Sequence, residues 1–340
     1  MQRIAYLLDA TANALYGGKF ALGDRFRTYG QHSFLYDLIV SAARCGLHVD
    51  LFIRGLESFP IVKPLSRFCT VRDAESKRLD EGTWDSAVAD VVSDDLLSRL
   101  PTNIPVLAIV HNGFQQLSSF LVKRCHRFVC LSQFSFEYKA RSIAASRLLF
   151  IPQGVDLQRF RPSRTPTSSP ARTRILVSSR LADEKEQAVY DLIAMLSTRR
   201  WDLTVLGDGP GFWRVSDEFA SFVTTINFIP CHSIHNFLAQ FDLVCSSGRG
   251  VMEALACGKA AIAVGRSYCG AVLPGNVQAL MRLNFTGRPD EPTGVAVSVP
   301  RLEEDLNAAL LVTPEARRKI AEEYFDVDRF LRELLRSLNQ

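Results

Sequence analysis

The chain has 340 residues, 47% of them hydrophobic and 22% charged, which is an ordinary composition for a soluble globular protein. That length allows two domains, each with its own core. No apolar stretch is long enough for a membrane span, and the start is too short and too soon acidic for a secretory signal. The eight cysteines are scattered without a C-x-x-C pair, and the six histidines show no ligand spacing. We therefore predict a cytoplasmic protein with neither a disulfide framework nor a metal site.

The net charge of +4 arises entirely in the first half of the chain. Residues 1–160 contain 19 Lys and Arg against 15 Asp and Glu, whereas residues 161–340 contain 21 of each kind. This excess is too weak to predict a nucleic-acid partner. It is compatible with an anionic small molecule or a light contact with an acidic membrane surface, and ordinary surface charge explains it equally simply.

Short apolar runs alternate with helix-like stretches through the first half of the chain. This alternation predicts a parallel sheet with helices on both faces, and ligands of such sheets collect at the carboxyl ends of the strands. The predicted strands are residues 4–8, 49–53, 86–92, 106–110 and 128–131.

Three features follow predicted strands of this first sheet. Gly17 and Gly18 lie in the long loop before a predicted helix at residues 33–45, where their backbone can approach an anion or a sugar, or simply turn. His111 directly follows the strand VLAIV and is placed to hydrogen-bond a substrate, although a plain loop role is the commoner one. Ser132 precedes a helix and is expected to cap it.

A segment at residues 161–174, rich in Pro, Ser, Thr and Arg, predicts a domain boundary. We predict domains at 1–160 and 161–325, followed by an amphipathic C-terminal helix at 326–340. A second alternation then indicates that the same sheet architecture is built twice, with a ligand held between the two domains. Its predicted strands are residues 175–178, 203–206, 226–229, 243–245 and 261–264.

The stretch at residues 241–265 predicts a strand, a glycine turn, a helix from Val251 to Cys257 that ends at Gly258, and another strand. A glycine turn before a helix presents free backbone N–H groups and the positive end of the helix dipole, which suits a diphosphate. Glu253 is expected in the first helical turn. Its carboxylate could accept hydrogen bonds from ribose hydroxyls, or it could only complement its own helix dipole.

Two other strand ends carry polar groups. Arg180 and Lys185 follow the strand ILVSS, where a guanidinium and an ammonium could bind two phosphates, although a charged loop without a ligand is also possible. Asp208 and Gly209 follow the strand LTVL within GDGPG. Because Pro210 interrupts any G-x-G-x-x-G pattern, we expect a tight turn there rather than a dinucleotide fingerprint.

Four motifs together resemble the retaining glycosyltransferases of family four, in the order and at about the separations of that family. They are IPQGVDLQRFRP at 151–162, SSRLADEK at 178–185, LTVLGDGP at 203–210 and GVMEALACGKAAIAV at 250–264. The resemblance covers the second half of the chain well and the first half in outline. It implies an α/β GT-B fold, with two Rossmann-like, doubly wound parallel-sheet domains facing a cleft.

By this resemblance, Arg180, Lys185 and His111 are the catalytic residues. The two cations would hold the donor diphosphate and offset its charge as the nucleotide leaves, without a metal, while His111 would lie beside the transferred sugar. Glu253 would bind the ribose. Further donor contacts would come from Gly17, Gly18, Asp208, Gly209, Gly248, Arg249 and Gly250. The co-substrate would be a nucleotide-diphosphate sugar, UDP-linked rather than GDP-linked, and no cofactor is expected.

One departure from the family pattern affects this prediction. The family has a second glutamate eight positions before the one matched by Glu253, and that position is Cys245 here. The preceding loop also looks shortened. Since the missing glutamate helps to place the donor sugar, the sugar and even the activity are less certain than the fold. Arg249, at the same turn, could partly replace it.

Three functions remain open. The first is transfer of a hexose or N-acetylhexosamine to a hydroxyl of a glycan, a lipid-linked saccharide or a small metabolite, in the cytoplasm or at the inner face of the membrane. The second is a degenerate nucleotide-binding or partner protein without transferase activity. The third, a nucleotide-sugar epimerase, is disfavoured because the matched motifs contain few of the carboxylates that proton transfer would need.

Overall fold

The computed structural model describes residues 2–9, 30–55, 61–76, 78–90, 92–162, 172–182, 185–197, 201–287 and 298–338. The predicted site residues Gly17 and Gly18 lie outside the described residues, as does most of the predicted boundary segment. Glu184, in the motif SSRLADEK, also lies outside them. The chain divides into two compact units. The first comprises Met1–Gly154 with Val327–Gln340, and the second comprises Val155–Asp326.

The first unit is a parallel sheet of seven strands in the order β3-β2-β1-β4-β5-β6-β7. Its strands are β1 (Arg3–Asp9), β2 (His48–Arg54), β3 (Thr70–Asp73), β4 (Ser86–Asp90), β5 (Val106–Val110), β6 (Arg127–Cys130) and β7 (Leu148–Phe150). Its helices are α1 (Gly30–Arg44), α2 (Val62–Leu65), α3 (Arg78–Glu81), α4 (Asp94–Ser98), α5 (Ser119–Arg124), α6 (Gln133–Lys139) and α14 (Val327–Leu338), which is the last of the chain. The central strands β4 and β5 are buried along their whole length, as expected for a sheet covered on both faces.

Helix α14 completes this unit although it follows the second unit in sequence. Its apolar side chains at helical spacing are buried, and Phe330 meets Phe34 of α1 edge to face, with ring centroids 5.1 Å apart. Asp328 accepts hydrogen bonds from Ser41 Oγ at 2.5 Å and from Arg44 at 2.9 Å. The amphipathic pattern at the end of the chain therefore corresponds to a helix that packs against α1.

The start of α6 shows how a single side chain ends a strand and begins a helix. Ser132 Oγ accepts a hydrogen bond from the backbone N–H of Ser135 at 3.2 Å, while the backbone of Ser132 is extended. This is the geometry of an N-cap residue, which satisfies one of the free donors of the first turn. The prediction that Ser132 is a cap is confirmed.

The second unit is a six-stranded sheet in the order β10-β9-β8-β11-β12-β13, parallel except for the last strand. Its strands are β8 (Arg174–Ser178), β9 (Asp202–Leu206), β10 (Val223–Ile226), β11 (Leu243–Ser246), β12 (Ala260–Val264) and the antiparallel β13 (Tyr268–Ala271). Its helices are α7 (Glu186–Ser197), α8 (Gly211–Glu218), α9 (Ile234–Leu238), α10 (Arg249–Ala256), α11 (Val277–Arg282), α12 (Val299–Leu311) and α13 (Pro314–Tyr324).

One predicted strand of this sheet is wrong in its position. The sequence pattern predicts an extended segment at residues 226–229, whereas the observed strand is β10, which ends at Ile226. Strand β10 lies at the edge of the sheet and is only partly buried, so it consists of the β-branched run VTTI rather than of a purely apolar segment. The more apolar run that follows it precedes Pro230 and lies outside the ladder.

The motif at residues 151–162 has a structural role within the second unit from Val155 onwards. The buried carboxylate of Asp156 accepts hydrogen bonds from the backbone N–H groups of Gln158, at 3.0 Å, and Arg159, at 3.3 Å. Arg318 of α13 donates to the carbonyl oxygen of Phe160 at 2.5 Å. These contacts bind the entry segment to the last helix of the unit.

A buried carboxylate on β2 links this strand to its neighbours β1 and β3 in the first sheet. Asp50 of β2 is fully buried and accepts hydrogen bonds from Arg72 Nε at 2.8 Å, Arg3 Nη2 at 3.2 Å and Trp84 Nε1 at 3.3 Å. Burial alone would raise the pKa of Asp50, but the hydrogen bonds from Arg72, Trp84 and Arg3 outweigh it, and the pKa is lowered.

We predict that Asp50→Asn lowers the free energy of unfolding by roughly 1–3 kcal/mol at pH 7, because it leaves charged donors with a neutral acceptor. Since the folded pKa is depressed, this stabilisation is present above the unfolded pKa of about 3.9 and is lost as the pH falls through the folded value. Urea unfolding at neutral and acidic pH measures the difference, which should shrink in acid. The exposed Asp202→Asn is the control, and equal stability of Asp50→Asn and wild type at pH 7 would contradict the assignment.

Candidate functional site

The predicted donor-site residues of the second unit lie in loops at one edge of its sheet. Arg180 and Lys185 follow β8, Asp208 and Gly209 follow β9, and the glycine turn at 247–250 follows β11. Because β9, β8 and β11 are adjacent and parallel, their carboxyl ends meet at the same edge. This is where ligands of open parallel sheets bind.

A side-chain contact joins the loop after β8 to the turn after β11. Lys185 Nζ donates a hydrogen bond to Ser247 Oγ at 3.0 Å. The neighbouring Ser246 Oγ donates to the carbonyl oxygen of Ser178 at 2.6 Å, which holds the ends of the two strands together. A Cβ at Gly250 would lie 2.1 Å from Ser246 Oγ, so this position requires glycine. The ammonium of Lys185 is thus held at the glycine turn.

The turn after β9 packs closely against the loop that carries Arg180. The backbone N–H of Leu181 donates to the carbonyl oxygen of Asp208 at 2.6 Å. A Cβ at Gly209, whose φ is +112°, would lie 2.4 Å from the carbonyl oxygen of Leu181. The glycine here allows the two backbones to approach. Arg180 and Lys185 are both partly buried, which leaves part of each surface accessible to a ligand.

Helix α10 begins two residues earlier than the sequence pattern predicts. Its N-terminal boundary residue Gly248 has φ 54° and ψ −125°, a backbone conformation that favours glycine, and the helix starts at Arg249 instead of Val251. It ends before Gly258, whose φ is +71°, as predicted. Glu253 therefore lies in the second helical turn, and the expectation that it lies in the first turn is wrong. The alternative that Glu253 only complements the helix dipole depended on that first turn, because the dipole acts on charges there.

Arg249 and Glu253 form a buried ion pair on α10. Arg249 Nε donates to Glu253 Oε1 at 2.7 Å, and the two side chains are 4% and 9% exposed. The positions are four apart, which places them on the same helix face. The guanidinium of Arg249 thereby faces the carboxylate that is predicted to bind ribose.

Cys245, the residue eight positions before Glu253, lies inside β11 and not at the ligand edge. It pairs with Val177 and Ile262 in the neighbouring strands and is fully buried, and this burial raises the pKa of its thiol. Only Ser247 and Gly248 connect β11 to α10. Counting eight residues back from Glu253 therefore enters the strand, because only two residues separate β11 from α10.

His111 of the first unit belongs to a hydrogen-bonded group that sequence reasoning missed. Its Nε2 lies 2.5 Å from Asp90 Oδ1, and the hydroxyl of Tyr6 donates to Asp90 Oδ2 at 2.5 Å. The backbone N–H of His111 donates to Gln115 Oε1 at 3.0 Å, and Phe34 lies edge-on to the imidazole with centroids 6.3 Å apart. These contacts fix the imidazole of His111 at the end of β5, and its role beside a sugar stays a prediction.

The register of the sheet brings these three side chains together. Tyr6 pairs with Val88, two residues before Asp90, and Asp90 pairs with Ile109, two residues before His111. Because side chains alternate along a strand, Tyr6, Asp90 and His111 lie on the same face, in diagonal positions of adjacent strands. The sequence does contain a signal for this group. The predicted strand SAVAD ends in a carboxylate, Asp90, and the next predicted strand along the chain leads to His111.

A partly exposed cluster of aromatic side chains in the first unit begins shortly after His111 in the sequence. Phe114 is 46% exposed and contacts the rings of Phe134 and Tyr138, with centroids 5.5 and 5.1 Å away. Arg141 lies over the ring of Tyr138, 5.1 Å from its centroid. The cluster presents flat apolar surface and a cation at the carboxyl ends of β5 and β6.

The described part of the chain offers neither a metal site nor a membrane span. Within the residue ranges that the structure describes, His, Cys, Asp and Glu side chains form no group of three or more that could hold a metal ion. In the same ranges, every helix is too short or too polar to cross a membrane.

No protein-family model matches this chain, and no protein of curated function matches its sequence. Solved structures do resemble it. HepE of Anabaena in complex with UDP has a TM-score of 0.65 at 17% identity and covers 100% of both chains. A glycosyltransferase from Rickettsia africae has a TM-score of 0.66 at 15% identity, over 99% of this chain and 97% of the other. Sucrose-phosphate synthase from Thermosynechococcus elongatus has a TM-score of 0.65 at 16% identity, over 99% of each chain.

These structures share the fold of this chain, which is that of the GT-B glycosyltransferases. Each unit contributes one α/β domain with a parallel or mostly parallel sheet. The predicted fold class is thereby confirmed, and at these identities the likeness establishes the fold alone.

Proposed function

We propose that the protein is a retaining glycosyltransferase of family four, which moves a hexose or N-acetylhexosamine from a nucleotide-diphosphate sugar to a hydroxyl acceptor. One observation carries this proposal: the hydrogen bond from Lys185 to Ser247, which joins the cationic loop after β8 to the glycine turn before α10. Through it, an ammonium, a glycine turn and a helix N-terminus converge at the carboxyl edge of one sheet.

This arrangement has the chemistry needed for a departing nucleoside diphosphate. Arg180 can bind two phosphate oxygens with its planar guanidinium, and Lys185 provides a compact positive charge near the turn. The positive end of the α10 dipole lies at the same turn, where position 250 carries no side chain. Because these groups stabilise negative charge that develops as the glycosidic bond breaks, we propose that transfer proceeds without a metal or an organic cofactor.

We propose a UDP-sugar rather than a GDP-sugar as the donor. The structural neighbour HepE has been solved with UDP and also with UDP-glucose, the latter at 18% identity to this chain. In this proposal Glu253 accepts hydrogen bonds from the ribose hydroxyls, and Arg249 holds its carboxylate charged and oriented within the buried pair. Asp208, Gly209 and Gly248 shape the turns around the diphosphate.

We further propose that the acceptor binds the first unit beside His111. The exposed ring of Phe114 offers an apolar surface on which a sugar ring can stack, and His111 offers a hydrogen-bonding group at the same strand ends. A glycan, a lipid-linked saccharide or a small metabolite would satisfy this chemistry. A lipid-linked acceptor would bring the protein from the cytoplasm to the inner face of the membrane.

Calorimetric titration with uridine, guanosine and adenosine diphosphates tests the proposal first. We expect UDP to bind most tightly, and a screen of UDP-sugars should then reveal slow hydrolysis or transfer, with anomeric configuration followed by NMR. Absence of binding to all three nucleotides would overturn the proposal. Nucleotide binding without turnover on any donor would favour a nucleotide-binding partner protein with a degenerate site, an alternative suggested by Cys245.

A further inference from the structure

Tyr6, Asp90 and His111 form a hydrogen-bonded group in the first unit, with Asp90 between the other two. Asp90 is fully buried at the end of β4, and both of its carboxylate oxygens have a partner, Tyr6 on one side and His111 on the other, each at 2.5 Å. His111 itself is partly accessible, with 13% of its side chain exposed. A buried carboxylate thus lies behind a histidine that reaches the surface.

The direction of the hydrogen bonds in this group follows from the donors available. Burial and the negative charge of Asp90 raise the pKa of Tyr6 well above its usual range, so the phenol keeps its proton and donates it to Oδ2. A carboxylate oxygen is an acceptor, and Oδ1 of Asp90 accepts from His111 as Oδ2 accepts from Tyr6. Its partner nitrogen Nε2 must therefore carry a hydrogen.

We infer that Asp90 is a positioning residue that holds a proton on Nε2 of His111, so that the imidazole in its neutral form presents Nδ1 as a lone-pair acceptor for a hydroxyl group of a saccharide. Among the described residues, the only hydrogen bond of the imidazole ring is the one to Asp90. A carboxylate that orients a histidine and selects its tautomer is a common device in enzymes, where the ring orientation sets what the other nitrogen can do. The saccharide hydroxyl rests on the proposed function, whereas the tautomer does not.

The tautomer has a consequence for recognition. A neutral imidazole with a lone pair on Nδ1 accepts a hydrogen bond from a hydroxyl group, whereas the opposite tautomer would present an N–H and require an acceptor. A sugar hydroxyl can rotate to serve either tautomer as donor or acceptor, but its fluoro analogue retains only acceptor capacity. The wild-type protein should therefore discriminate against a sugar in which the contacted hydroxyl is replaced by fluorine.

The first test is the nitrogen NMR spectrum of the full-length protein with labelled histidine, recorded at alkaline pH where the imidazoles are neutral. His111 is assigned by comparison with His111→Gln. We expect a protonated Nε2 and a lone pair on Nδ1 in the wild type. A wild-type spectrum with the proton on Nδ1 would overturn the inference, and this result is independent of whether any donor is turned over.

The second test reverses the tautomer through Asp90→Asn. If the amide oxygen accepts from Tyr6, the amide N–H₂ faces His111 and forces its proton onto Nδ1. We expect the reversed tautomer, unchanged affinity for UDP, and a preference in kcat/KM for the hydroxyl sugar over its fluoro analogue that is roughly 5- to 150-fold smaller than in the wild type. The reason is that Nδ1–H of the variant can donate to fluorine, which the wild-type Nδ1 leaves unpaired. Tyr6→Phe is the matched control, since it touches the same carboxylate but leaves the bond to His111, and it should keep the wild-type tautomer and the wild-type preference for the hydroxyl sugar over its fluoro analogue.

Two outcomes would contradict this inference. If Asp90→Asn retained the proton on Nε2, Asp90 would not select the tautomer. If the tautomer reversed but the preference for the hydroxyl sugar over its fluoro analogue stayed at the wild-type value, Nδ1 would not face the reacting sugar. Should Asp90→Asn fail to fold, the wild-type and Tyr6→Phe spectra still decide the tautomer.

Discussion

Replacing Arg180 or Lys185 by alanine is expected to reduce kcat by at least about 10²-fold, the usual effect of removing one group that stabilises transition-state charge. Both residues follow β8 at the carboxyl edge of the second sheet, and the Nζ of Lys185 is held at the glycine turn by Ser247. Neither side chain belongs to the buried core, so thermal unfolding should occur within a few degrees of the wild-type temperature. Turnover of the best UDP-sugar and differential scanning calorimetry measure the two effects.

The same strand offers a matched control for these variants. Arg172 is exposed and precedes the amino end of β8, so Arg172→Ala removes the same charge from the opposite edge of the sheet. It should leave kcat within about twofold of the wild type, since surface charges at that distance are screened. Ser247→Ala removes only the partner of Lys185 and should give an intermediate loss. Normal turnover in both Arg180→Ala and Lys185→Ala would exclude the proposed diphosphate site.

Local patterns were sufficient to predict most of the sheet architecture from the sequence. Strands such as β5 and β12 are continuous apolar runs because helices cover both sheet faces, and their sequences show this directly. The end of α10 at Gly258 was predictable because a left-handed residue after a helix favours glycine. The parallel direction of β8, β9 and β11 is sufficient to predict that Arg180, Asp208 and Gly248 lie at the same edge of the second sheet.

The partners of the site residues could not be predicted, because they depend on contacts between strands and on the exact start of a helix. Tyr6 and Asp90 are 84 residues apart in the sequence, and they come into contact only because β4 pairs with β1. The pairing of Arg249 with Glu253 depends on α10 starting at Arg249, two residues before the apolar pattern begins. In the same way, counting back from Glu253 matches the glutamate of the family pattern to Cys245. Because only two residues connect β11 to α10, this position lies inside β11.

Replacing Glu253 by glutamine is expected to have the largest effect on stability, with a loss of about 3–5 kcal/mol in the free energy of unfolding. The guanidinium of Arg249 is 4% exposed and donates to Oε1 of Glu253 at 2.7 Å, so the variant replaces the negative charge beside this buried cation by a neutral amide. Urea unfolding of the purified variant measures this loss. A pair of exposed charges in the same spacing, Arg214 and Glu218 on α8, is the control, and Glu218→Gln should cost less than about 1 kcal/mol.

The double variant Arg249→Met with Glu253→Gln separates the structural effect from ribose binding. Removing the buried cation as well should restore part of the stability, because the desolvated charge is gone and an apolar side chain of similar length fills its space. If Glu253 binds the ribose, however, the double variant still lacks the carboxylate. The wild type should bind UDP roughly 10- to 150-fold more tightly than 2′-deoxyuridine diphosphate, the effect of one hydrogen bond to a charged group.

This preference for ribose should be lost in both the single and the double variant, since neither can offer an ionised acceptor to the 2′-hydroxyl. A structural role alone predicts something different: the preference would fall in the unstable Glu253→Gln and return with the stability of the double variant. Calorimetric titration of the three proteins with UDP and its 2′-deoxy analogue distinguishes the two cases. Recovery of the wild-type preference in the double variant would mean that the Arg249–Glu253 pair only supports α10 and that ribose is recognised elsewhere.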